Sequence, residues 1–84
     1  MKNYVVRVII ETKPELDDPE GDVILKNLIL KKNSTVSQVR TSKILTFIIC
    51  ETNKQVAKST VTKLCDELRL YNILVSTISV DVIN

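Results

Sequence analysis

The stretch Tyr4-Val5-Val6-Arg7-Val8-Ile9-Ile10-Glu11-Thr12 decides the fold. β-branched residues dominate it, and every second position puts Tyr4, Val6, Val8 and Ile10 on one face of an extended strand. That choice turns Val5 and Ile9 the other way. Ile44 to Glu51 repeats the pattern, with Leu45, Phe47 and Ile49 on one side and Ile44, Ile48 and Cys50 on the other. Both strands are apolar on both sides, which places them at the centre of a sheet whose second face is not written for water.

The segments around these strands follow from breakers and caps. Lys13 to Pro19 interrupts the first strand, and Asp18-Pro19 is a helix start, with Asp as N-cap and Pro in the first helical position. The pattern predicts a helix from Pro19 to about Lys32, with Ile24, Leu25 and Leu28 on its apolar face and Asn33 as its stop. Glu20 and Asp22 suit its N-terminal end, and Lys31 and Lys32 its C-terminal end. Val36 to Thr41 reads as a short strand and Ser42-Lys43 as a tight turn into Ile44–Glu51, together a hairpin. Asn53 caps a second helix carrying Ala57, Val61, Leu64, Cys65 and Leu68 at helical spacing, and Tyr71-Asn72 ends it. Thr77 to Val82 alternates as a last strand. The order β-α-β-β-α-β implies an α+β, ferredoxin-like domain, a four-stranded antiparallel sheet with two helices on one face.

The 84 residues give room for this single domain, residues 1–84, and no second one. A folded chain of this mass exposes roughly 5,000 Å², against about 13,800 Å² unfolded, so the core is thin. Hydrophobic residues at 44 % with one Gly and two Pro exclude a disordered chain. Net charge is +2, and the seven basic and six acidic groups in residues 1–42 are matched by five and four in 43–84, so no basic stripe for nucleic acid exists. The chain has no His and only Cys50 and Cys65 as soft ligands, which leaves zinc sites, iron–sulfur centres and catalytic triads without their residues. Two cysteines with no apolar leader or membrane-length segment point to a reducing cytoplasm and away from membranes.

Two helices cover one face of a sheet. The outward side chains Val5, Ile9, Ile44, Ile48 and Cys50 therefore form a contiguous apolar patch on the other, and a patch of several hundred Å² marks an interface. The expectation is a homodimer or dimer of dimers packed through the sheets. Candidate chemistry is sparse. Asp17, Asp18 and Glu20 form the one dense carboxylate group, which capping explains. Gly21 is the sole glycine, so no phosphate-cradling loop is present. Cys65 reads as a small core residue, while Arg40 and Lys43 flank the hairpin turn where they could grip an acidic group on a partner.

Asp18-Pro19-Glu20-Gly21 at the first helix, Val39-Arg40-Thr41-Ser42-Lys43 at the hairpin, and Leu64-Cys65-Asp66-Glu67-Leu68 followed by Asn72 and the alternating last strand resemble the PurS family. PurS is the small subunit of phosphoribosylformylglycinamidine (FGAM) synthase where that glutamine- and ATP-dependent C–N ligase is split into three chains. The resemblance implies a non-catalytic subunit of de novo purine biosynthesis, itself dimeric or tetrameric, that bridges a glutaminase and a large synthetase. ATP and magnesium would sit on the large partner and no cofactor on this chain. Asp18, Glu20, Gly21, Arg40 and Lys43 become the candidate partner contacts. Ser42 stands where the family usually has Gly, and Ile73 where Pro is common. The rival from another class is a dimeric ligand-sensing domain that binds an amino acid or nucleotide between its sheets.

Overall fold

Strand β1, Lys2–Thr12, is the longest strand of the computed structural model, which describes all 84 residues. It occupies the middle of a three-stranded antiparallel sheet, flanked by β2, Ser42–Glu51, and β3, Ser76–Val82, in the order β2-β1-β3. The register pairs Val6 with Phe47 and Val82, and Val8 with Leu45 and Val80. The alternation read from the sequence is thus the alternation of the sheet. One face carries Tyr4, Val6 and Val8, all buried, flanked by the half-buried Leu45, Phe47, Ile49, Ile78, Val80 and Val82.

Helix α2, Lys54–Glu67, closes that face. The Asn53 side chain accepts from the Val56 amide at 2.9 Å and starts it. Ala57, Val61 and Cys65, four residues apart and fully buried, form the stripe that meets β1. All three are small, which lets the helix settle closely on Val6 and Val8. The last turn ends in a Schellman motif: the Leu70 amide donates to the Cys65 carbonyl and the Arg69 amide to that of Asp66. Arg69 supplies the left-handed residue this needs, at φ 51°.

Helix α1, Pro19–Ile24, is short. The predicted helix to Lys32 gives way to a π-helical turn, Leu25–Ile29, in which the Leu30 amide donates to the Leu25 carbonyl. A glycine and the β-branched Val23 and Ile24 so early in the segment leave little intrinsic helix preference to carry it on. Asn33 folds back on its own successors, accepting from the Thr35 amide and hydroxyl.

Two expectations are corrected here. The sheet has three strands, not four, and one helix on its face, not two. Residues 36–41 join no ladder, and Ser42-Lys43 is the start of β2 instead of a turn. The physical reason is local: a two-residue hairpin turn needs positive φ, usually from Gly, and no residue here adopts it. The chain therefore runs straight through Thr41 into β2 and carries residues 36–41 beyond the end of the sheet. Helix α1 goes with them and packs against none of the three strands. Leu28, expected on a buried face, is 64 % exposed.

The result is long and open, 51 × 26 × 15 Å, with a radius of gyration of 16.4 Å where about 12 Å is usual for this length. No helix is long and apolar enough to cross a membrane.

Candidate functional site

Asp18 organises the arm that leaves the sheet. Its carboxylate accepts from the Gly21 amide at 3.0 Å as an N-cap, and also from the Thr41 amide and the Thr41 hydroxyl, 23 residues further on. Only 5 % of the residue is exposed. The amide of Thr41 first, then that of Gly21 and the Thr41 hydroxyl, hold its carboxyl down at about 2. Gly21 is buried beside it, with Val39 so close that a Cβ would lie 2.0 Å from the Val39 carbonyl oxygen.

Arg40 completes the clasp. Its guanidinium donates to the carbonyls of Leu16 at 2.8 Å, Lys13 at 3.1 Å and Thr12 at 3.3 Å, tying residues 12–16 to the strand-like segment before β2. Beside it lies an open polar cleft of about 430 Å³ that includes Glu11, Gln38 and Arg40. The structure thus brings Asp18, Gly21 and Arg40 together, as a buckle inside the chain. Glu20, on the first turn of α1, and Lys43, opposite Ile10 in the β2 ladder, remain exposed. Thr41, the partner that makes Asp18 more than a cap, carried no sequence signal, because its role depends on a contact across 23 residues.

The sheet face away from α2 is the second surface. Val5 stands opposite Ile48, and Ile9 opposite Ile44. Ile48 is 74 % exposed and Ile44 55 %, Cys50 is a free, exposed thiol, and Val5 and Ile9 on the central strand are half-buried. The chain continues past β3 so that the Ile83 amide donates to the Val5 carbonyl and the Asn84 side chain bonds Val5 and Asn3. Ile83, itself half exposed, thereby extends the apolar row across the sheet. Continuing the parity of the last strand one step further signals it. The apolar surface is nevertheless divided, since Arg7, Thr46 and Asp81 form a polar row between its two halves.

Cys65 is in the core, where burial pushes its thiol up and the nearby Asp66 pushes it further. The Tyr71 hydroxyl donates to Asp66 at 2.8 Å and anchors the loop into β3. Leu68, Ile73 and Leu74 are exposed around it. Asp18, Arg40 and Asp66 are engaged within the chain, in a cap, a clasp and a loop anchor. Exposed aliphatic side chains of the outer sheet face and of the loop into β3 lie beside exposed charged groups such as Arg7 and Asp81.

A family model described as PurS, phosphoribosylformylglycinamidine (FGAM) synthase, matches residues 5–84. The crystal structure of PurS from Methanocaldococcus jannaschii, one of the subunits of formylglycinamide ribonucleotide amidotransferase in the purine biosynthetic pathway, is 30 % identical, with a TM-score of 0.84 over 96 % of both chains. A chain in the structure of PurLQS from Thermotoga maritima is 26 % identical, with a TM-score of 0.86 over 99 % of this chain and all of that one. No curated protein matches in sequence.

Proposed function

We infer the function from descent: the chain belongs to the PurS family and is a subunit of FGAM synthase, an enzyme of purine biosynthesis. Its partners are the synthetase and glutaminase subunits with which PurS is found in PurLQS. Its role there is to bridge them without an active site of its own. On this reading ATP and magnesium belong to the large subunit, and the complex works in the cytoplasm. The exposed Glu20, Lys43 and the free edge of Arg40 are contacts for those partners, tuning register and association rate more than affinity. Asp18 and Gly21 serve indirectly, by fixing the arm on which Glu20 is presented.

The same chain associates with itself. The observation that carries this is area: the molecule exposes 6215 Å², about 1,200 Å² more than a compact chain of its mass. A standard interface takes about 800 Å² from each partner. Helix α1 finds no strand to cover in its own chain, while Leu45, Phe47 and Ile49 of β2 are left half-covered by the single helix α2. The buckle of Asp18, Thr41 and Arg40 holds the arm out and stops it from folding back. A second copy supplies what the first lacks.

Reconstitution tests the bridging role. With the synthetase and glutaminase of the same organism, glutamine-dependent amidine formation should require this chain, while ammonia-dependent turnover by the synthetase should depend on it far less. Equal glutamine-dependent rates with and without the chain would refute the role.

A further inference from the structure

Arg7 lies at the middle of the central strand, on the face that α2 does not cover, with Thr46 on one side of it and Asp81 on the other. The row is exposed, and although Arg7 and Asp81 are directly opposed, no hydrogen bond or ion pair joins them within the chain. Two residues away along the strand in one direction is the apolar row of Ile48, Val5 and Ile83. Two residues away in the other are Ile44 and Ile9, with the exposed Ser79 completing that row on β3.

This spacing is symmetric about Arg7. A two-fold axis running along the polar row, between two facing sheets, lays the Val5 row of each copy on the Ile9 row of the other. It also brings the polar row against itself, which is the mark of an isologous interface. Arg7 then faces Arg7 of the second copy, and two guanidinium groups closed into an apolar face repel each other unless each finds a carboxylate. Asp81 is one strand away, about 5 Å to the side, well within the sweep of an arginine side chain. A partner of purely apolar surface would leave Arg7 and Asp81 to each other alone, in a chain where they do not bond, whereas a second copy offers each of them a further opposite charge one strand to the side. We propose that two copies pack through this face with Arg7 of each paired to Asp81 of the other, a reciprocal pair of charges that fixes the register of the dimer.

The proposal rests on the reading that the chain associates with itself and adds to the contacts of the arm a second surface, the outer sheet face, and the two can fail separately. Arg7→Asp leaves a chain with two acidic groups in the row, and Asp81→Arg leaves one with two basic groups. Each variant alone should show a dimer dissociation constant raised at least about tenfold in sedimentation equilibrium, because like charges now face each other. An equimolar mixture should recover a dimer within about threefold of the unsubstituted chain, since every pair between unlike copies is then of opposite sign. Within each chain the charges remain alike, so recovery on mixing reads the contact between copies and nothing inside one.

Far-UV circular dichroism checks that each variant is folded. Should either fail, Arg7→Glu and Asp81→Lys give the same two-component readout. Single variants as dimeric as the parent, or a mixture no more dimeric than its components, would overturn the proposal while leaving self-association through another surface standing. A parent chain that is monomeric would remove both.

Discussion

Gly21 shows how one residue holds the arm of this molecule in place. Its missing Cβ lets the Val39 carbonyl lie against the first turn of α1, and backbone on both sides leaves nothing to yield. Gly21→Ala should therefore destabilise the chain by about 1–3 kcal/mol, read in a urea titration. A variant as stable as the parent would mean that residues 36–41 do not rest on α1. Asp18 makes a complementary prediction. Its carboxyl is lowered from 3.8 to about 2, so the folded state favours the ionised form, and the stabilisation is complete above pH 4 or so and lost as pH falls through about 2. The melting temperature of the parent should drop across that window more steeply than that of Asp18→Asn. Parallel pH profiles would contradict the clasp.

At the scale of elements, the sequence disclosed whatever is governed by local periodicity. The alternation in β1, β2 and β3 and the Ala57–Val61–Cys65 stripe of α2 are written in side chains a few residues apart, and both N-caps, Asp18 and Asn53, are single-residue signals. The expected fourth strand failed because Val36 to Thr41 has the composition of a strand but no turn that would return it to β2. Ser42-Lys43, lacking glycine, continues the extended chain. Helix α1 was legible as a start and not as a position: its cap is local, while its place beyond the sheet depends on Arg40 reaching three carbonyls 24 to 28 residues away. The outward apolar residues of β1 and β2 were legible by parity alone, and their pairing, Val5 with Ile48 and Ile9 with Ile44, is what makes them one surface. Ile48→Lys tests that surface. It should raise the dimer dissociation constant at least about tenfold, given roughly 1.5–3 kcal/mol for burying an aliphatic side chain, while the helical signal of α2 is kept. Unchanged association would move the interface elsewhere.

The whole molecule is an incomplete body. A buried set of Tyr4, Val6, Val8, Ala57, Val61 and Cys65 is small for 84 residues, and the exposed aliphatics of the outer sheet face, α1 and the loop into β3 outnumber it. Such a chain is suited to work as a subunit, and the family to which it belongs is that of the PurS subunit of FGAM synthase. In the proposed function two kinds of surface are assigned to two kinds of partner, the charged arm end to the catalytic subunits and the divided apolar sheet face to another copy. Sedimentation velocity of the isolated chain at micromolar concentration is the most direct trial of this account. It predicts a species of at least twice the 9.5 kDa chain mass; a stable, folded 9.5 kDa particle would contradict it.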